Sequence, residues 1–164
     1  MPAVRIPVED YLKTSYRPDV DYVDGYTEQR HCAGKTHGKM LLRLAILLNN
    51  MPAVFAYLET RTQVAPDRFR VPDVCAFLDR EPDEERFTTP PYLCIEVLSP
   101  EDRIPRALKV AKDYFRMGVP NVWIVDPADR IAYVCGPDNT LHPAEFMIAT
   151  SDGRIALPTE AIFA

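Results

Sequence analysis

Two acidic residues stand where hydrophobic ones are expected. Asp73 interrupts the run Phe69-Arg70-Val71-Pro72-Asp73-Val74-Cys75-Ala76-Phe77-Leu78, and Glu96 interrupts Tyr92-Leu93-Cys94-Ile95-Glu96-Val97-Leu98-Ser99. Both runs are apolar enough to form strands of a sheet interior. Alternate residues of a strand share a face, so Glu96 lies with Cys94 and Leu98, and Asp73 with Cys75 and Phe77. Two half-buried carboxylates on neighbouring strands repel each other and lose hydration, which is costly unless something positive sits between them. A divalent cation meets that need, and hard carboxylate oxygens suit Mg2+ or Mn2+. Pro72 adds weight, because a proline removes a ladder hydrogen bond and marks an edge, a strand start or a bulge, where side chains are often aimed at a site. A structural ion pair would serve equally: Arg61, Arg70 or a helix lysine could supply the charge with no chemistry attached. The metal reading therefore requires both side chains on one side of the sheet with no guanidinium already filling the gap.

Other candidate ligands are sparse. The four cysteines, Cys32, Cys75, Cys94 and Cys135, form no C-x-x-C pair and have no zinc-site spacing. Three of them sit in apolar strand-like runs and read as small buried hydrophobes. Glu28 and His37 are candidate auxiliary groups, as a second acid or a water-positioning group. A histidine near a helix start is also commonly a cap or packing residue.

The elements that must position these residues can be read from local signals. Pro7 starts a short helix that runs to about Ser15, with Glu9 and Asp10 near its positive end. Asp24-Gly25 divides Asp21 to Arg30 into a hairpin whose second strand carries Glu28. Lys35 to Asn50 has apolar residues at helical spacing. Strands are expected over Val54 to Val64, Phe69 to Leu78 and Tyr92 to Ser99, with an acidic, proline-bounded surface loop from Asp79 to Pro91. A second long helix, Asp102 to Met117, closes at Gly118. Asn121 to Asp126 and Arg130 to Cys135 then pair as a hairpin. The order predicts an α/β or α+β fold, with helices on a mixed central sheet, and argues against a bundle or a sandwich.

The 164 residues are 47% hydrophobic and 26% charged, which predicts one domain over residues 1–164 with a core large enough to need neither disulfides nor a structural metal for stability. The best helical candidate has its longest apolar run at Leu44–Leu48, far short of the roughly 20 residues of a membrane span. The opening MPAVRIPVEDYLK does not resemble a secretory signal, so a cytoplasmic protein is expected. A net charge of −5 means that any nucleic-acid role needs a local basic patch. The helix over Asp102 to Met117 is the best place for one. Its basic residues Arg103, Arg106, Lys109, Lys112 and Arg116 face Asp102 and Asp113 alone, a local +3. Arg61, Arg68 and Arg70, on or near the strands leading to Asp73, extend the candidate patch.

Several landmarks, taken together, resemble a known family. Asp24-Gly25, His37-Gly38, Val71-Pro72-Asp73-Val74, Ile95-Glu96-Val97-Leu98-Ser99-Pro100, and Tyr114 with Gly118-Val119-Pro120 through Trp123-Ile124-Val125-Asp126-Pro127 occur in one order from about Pro7 to Cys135. In order and spacing they resemble the Uma-type "putative restriction endonuclease" family of the PD-(D/E)XK nuclease superfamily. The resemblance implies a restriction-endonuclease-like core in which Asp73 and Glu96 bind Mg2+ (or Mn2+), with DNA as substrate and a homodimer as the arrangement suited to duplex cutting. The metal would polarise the scissile phosphate and activate water, with a lysine nearby. Here the sequence departs from the pattern. Leu98 stands where the superfamily lysine is expected, and Val110 where this family places one on the following helix. Lys109 and Lys112 flank Val110. Lys109 lies mid-way along the basic arc of that helix, whereas Arg106 and Lys112 lie at its borders, where a side chain can snorkel toward the sheet. Lys109 is the first choice.

The leading expectation is thus a Mg2+-dependent endonuclease. A nuclease-fold nucleic-acid-binding or regulatory module without turnover is the alternative, and an interaction protein with structural carboxylates is a third.

Overall fold

Strands that are apolar at every position need cover on both faces, and that requirement organises the molecule. The computed structural model describes residues 3–30, 34–101 and 104–164. The main sheet contains β3 (Val54–Leu58), β6 (Val74–Leu78), β7 (Leu93–Val97), β8 (Asn121–Asp126), β9 (Ile131–Cys135) and β10 (Leu141–Ala144), in the order β10-β9-β8-β7-β6-β3. β7 and β8 run parallel, and the other neighbours are antiparallel. A parallel pair needs a crossover, which here is helix α3 (Ile104–Met117).

Strand alternation sorts the core into two layers. Val74, Ala76, Leu93, Ile95, Val97, Trp123 and Val125 pack with Met40, Leu41, Leu44 and Leu48 of helix α2 (Lys35–Asn49) and with Ile162 and Phe163 of helix α4 (Thr159–Phe163). Cys75, Phe77, Cys94, Leu98, Val122 and Ile124 pack on the other side with Ala107, Val110, Ala111 and Tyr114 of α3. Each large apolar side chain buried this way contributes about 1.5–3 kcal/mol. Asp73 and Glu96 belong by alternation to the α3 layer.

A second sheet has the order β2-β1-β5-β4, from β1 (Asp21–Val23), β2 (Tyr26–Glu28), β4 (Thr62–Ala65) and β5 (Arg68–Arg70). The hairpin β1–β2 turns at Asp24 (φ 52°) and Gly25 (φ 95°), the left-handed pair that a tight two-residue loop demands. Helix α1 (Val8–Lys13) covers this sheet through Tyr11, which packs with Val20, Tyr22 and Phe69.

Two expected strands are each divided. Val54 to Val64 breaks at Glu59, whose φ is 45°, and its halves join different sheets. Phe69 to Leu78 breaks at Val71-Pro72-Asp73, because Pro72 has no N–H to give the ladder. The hairpin β8–β9, the helix spans and the mixed sheet match the sequence expectation. Beyond Cys135 the chain adds β10, the pair β11 (Met147–Ala149) and β12 (Ala156–Pro158), and α4. These have little periodicity of their own and owe their order to docking on α2 and β9.

Among the described residues no helix is long and apolar enough to cross a membrane. Cys75, Cys94 and Cys135 are buried free thiols, and Cys32 lies outside the described residues.

Candidate functional site

The break at Pro72 has a direct consequence for the two carboxylates. β6 and β7 are antiparallel with Val74 opposite Ile95, so the same register, continued by one residue, sets Asp73 opposite Glu96. Residues directly opposite in such a pair share a face. The ladder has ended there, and the Asp73 side chain replaces it: Oδ2 accepts the Val97 backbone N–H at 2.8 Å. Both side chains thus meet the requirement of one face, but the requirement of a gap free of guanidinium is not met at Asp73, where Arg30 is bonded. Glu96 sits in the apolar α3 layer, where Oε1 accepts the Tyr114 hydroxyl at 2.6 Å. Both acids are buried, with residue exposures of 5% and 7%. Burial and then the charge of Asp73 push the Glu96 carboxyl up to about 8, against the Tyr114 donor and Arg30.

A guanidinium is present beside the pair. Arg30 Nη2 donates to Asp73 Oδ1 at 2.6 Å, and Nη1 donates to Glu59 Oε1 at 3.2 Å. Burial opposes the Arg30 charge, but Asp73, Glu96, Asp21 and Glu59 outweigh it and raise its pKa. His37, in the first turn of α2, brings Nε2 to 3.4 Å from Asp73 Oδ2. Burial disfavours its charged form, and the Asp73 bond and charge overcome this, so its pKa is raised. His37 also lines a cavity of about 470 Å³ between the start of α2 and the segments that follow β7 and β8.

A second group of charges stands beside the first, where β1, β2 and β5 meet α3. Arg70 is fully buried and donates to Asp113 Oδ2 at 2.8 Å, Asp21 Oδ2 at 3.0 Å and Glu28 Oε2 at 3.0 Å. Arg68 holds the other Asp113 oxygen at 2.9 Å. Arg106 reaches Asp21 at 3.6 Å, and Lys109 reaches Glu28 Oε1 at 3.5 Å.

Residues 8–160 match the model of the Uma2 family, described as "Putative restriction endonuclease". The chain belongs to this family. The fold agrees with a solved structure, "a putative nuclease belonging to DUF820" from Anabaena variabilis ATCC 29413. The two share 22% identity with a TM-score of 0.82, over 96% of this chain and 97% of that one. Among curated proteins, none matches the chain significantly.

In this Uma2 chain the structure brings together Asp73, Glu96 and His37, with Glu28 and Lys109 in the adjoining network. It does not bring Arg61 or Arg70 to a basic surface. Arg61 forks onto Asp19 at 2.7 and 2.8 Å, donates to the Tyr11 and Thr14 carbonyls and stacks over the Tyr11 ring, so its charge ties α1 down. Arg70 is enclosed by carboxylates. Arg106 is turned toward Asp21, leaving Lys109, Lys112 and Arg116 exposed on α3, and Arg103 lies outside the described residues. Leu98 and Val110, at the expected lysine positions, are buried in the α3 layer.

Arg30 is the site residue that sequence reasoning missed. Its signal was its spacing of two from Glu28, which sets both on one side of an extended segment. The buried Asp113 had no comparable signal, since its partners come from a different sheet. Among the described residues no group of three or more His, Cys, Asp or Glu side chains is arranged to hold a metal. The pair still fits Mg2+ or Mn2+ in kind, because such ions are commonly held by one or two carboxylates with water completing the shell. Glu96 Oε2 has no hydrogen-bond partner among the described residues, so one hard oxygen is uncommitted.

Proposed function

We propose that this Uma2 protein is a divalent-metal-dependent phosphodiesterase that cleaves DNA, acting as one domain, with Asp73 and Glu96 as the cation-holding pair. The observation that carries the reading is the register that sets these two buried carboxylates opposite each other on one face. A bound Mg2+ or Mn2+ would polarise a phosphoryl oxygen and lower the pKa of an attacking water.

The chain's own side chains do the remaining work. The Val97 N–H and the Tyr114 hydroxyl fix the two carboxylates, so little reorganisation is needed in the reaction. His37, between Asp73 and the cavity, is placed to orient the nucleophilic water or take its proton. Lys109, 63% exposed and next to Glu28, supplies positive charge to the phosphate from the helix that lacks a lysine at Val110. Lys112, also exposed on α3, serves as a backbone contact.

Supercoiled plasmid incubated with purified protein and Mg2+ or Mn2+ is expected to be nicked, and EDTA to stop it. Metal-independent nicking, or nicking that persists in Asp73→Asn, would sink the site assignment. Lys109→Ala is expected to slow nicking about tenfold or more. Lys112→Ala should instead weaken DNA binding and flatten its salt dependence by roughly one unit of slope.

A second reading, a DNA-binding or regulatory module without turnover, is favoured by the burial of Leu98 and Val110 and by the Arg30 contact on Asp73. Its signature is metal-linked DNA binding with no nicked product from the parent protein under any divalent cation.

A further inference from the structure

Arg30 is held by two carboxylates of opposite character. Asp73 is buried, with 7% of its side chain exposed, whereas the Glu59 side chain is 50% exposed at the kink between β3 and β4. Asp73 Oδ2 is committed to the end of the main sheet through the Val97 N–H. Its Oδ1 is held by Arg30, a side chain outside the sheet ladders, so this contact can open without disturbing strand pairing. Glu59 gives the displaced guanidinium somewhere to go. Arg30 can pivot toward it and remain paired near the surface, which avoids leaving a buried cation alone.

We propose that Arg30 is a resident counter-ion that competes with a divalent cation for Asp73, and that its exchange toward Glu59 sets how tightly the carboxylate pair takes metal. The inference rests on reading Asp73 and Glu96 as a cation-holding pair. Arg30 then has a positioning role. Without metal, its charge offsets that of the buried Asp73 carboxylate. With metal, its departure from Oδ1 frees the oxygen that the cation needs. The guanidinium and a divalent cation compete for that oxygen, because two positive charges brought within a few ångströms of it repel each other and only partly share its negative charge.

The test is Mn2+ binding by isothermal titration calorimetry, with folding checked by circular dichroism. Arg30→Gln is expected to tighten Mn2+ binding about tenfold or more and to lower the melting temperature in EDTA. Arg30→Lys keeps the charge and should bind close to the parent. Glu59→Gln removes the alternative anchor, holds Arg30 on Asp73, and should weaken Mn2+ binding several-fold. A merely structural arginine would not move affinity in opposite directions in these two variants. Should Arg30→Gln fail to fold, the Glu59→Gln shift decides. If the parent binds Mn2+ and neither affinity changes in the stated direction, the inference falls and the cation-pair reading stands. If Mn2+ binds to no variant, Arg30→Gln included, both fall together.

Discussion

Glu96→Gln is expected to reduce metal-dependent nicking about a thousandfold and, in EDTA, to make the fold more stable than the parent near and above pH 8. The loss of rate follows from removing one of two hard ligands. The several kcal/mol that a bound Lewis acid supplies, at about 1.4 kcal/mol per tenfold, is of that order. The gain in stability follows from the Glu96 carboxyl itself, pushed up to about 8 by burial and by Asp73 from an ordinary value of 4.5. A group whose folded pKa is raised binds its proton more tightly in the native state. Its contribution is fully present below about pH 4.5 and is lost as pH rises toward about 8. The slope is at most about 1.4 kcal/mol per pH unit for one proton. Glutamine cannot ionise, so it should flatten that part of the curve while still accepting the Tyr114 hydroxyl. Melting temperatures from pH 5 to 9 in EDTA test this. A decline that persists unchanged in Glu96→Gln would assign it to another group. His37 is the foremost alternative, since its raised pKa has the same sign at a higher starting pH. Retained nicking in the glutamine variant would make Glu96 structural.

The second large effect concerns stability alone. Arg70→Met is expected to destabilise the protein by about 3–5 kcal/mol, read as a fall in the urea midpoint at unchanged slope. Arg70 is fully buried and is the hub on which Asp21, Asp113 and Glu28 converge. Removing it leaves Asp21 and Asp113 buried with fewer counter-charges. Asp21 already has its pKa raised by burial, against the pull of Arg70, and is expected to take up a proton in the variant. The triple variant Arg70→Met, Asp21→Asn, Asp113→Asn should recover part of the loss, because the unpaired charges are then gone. A cost below about 1 kcal/mol would mean that the cluster is solvated enough to need no hub.

These two expectations differ in how far they were legible from the sequence. The faces of Asp73 and Glu96 followed from strand alternation, and the pair was singled out because charge inside an apolar run demands a reason. The hairpin at Asp24-Gly25, the apolar arc of α3 and the break marked by Pro72 followed from equally local rules. The Arg70 hub was not legible. Arg70 and Arg61 look like surface cations in the chain, and only packing shows them enclosed. Their partners lie 42 to 50 residues away.

What the sequence by itself determined is therefore what periodicity and turn chemistry control: the helices α1 to α3, the strand segments as far as β9 apart from the two breaks, and which side each carboxylate takes. Tertiary structure alone decided that β6 and β7 pair in the register that opposes Asp73 to Glu96, that Arg30 stands at Asp73, and that two expected DNA-contacting arginines turn inward. The physical reason is that backbone geometry repeats every two or 3.6 residues and so leaves its mark locally. The choice of a charge's partner depends on which distant segments burial brings together, and no short-range pattern records it.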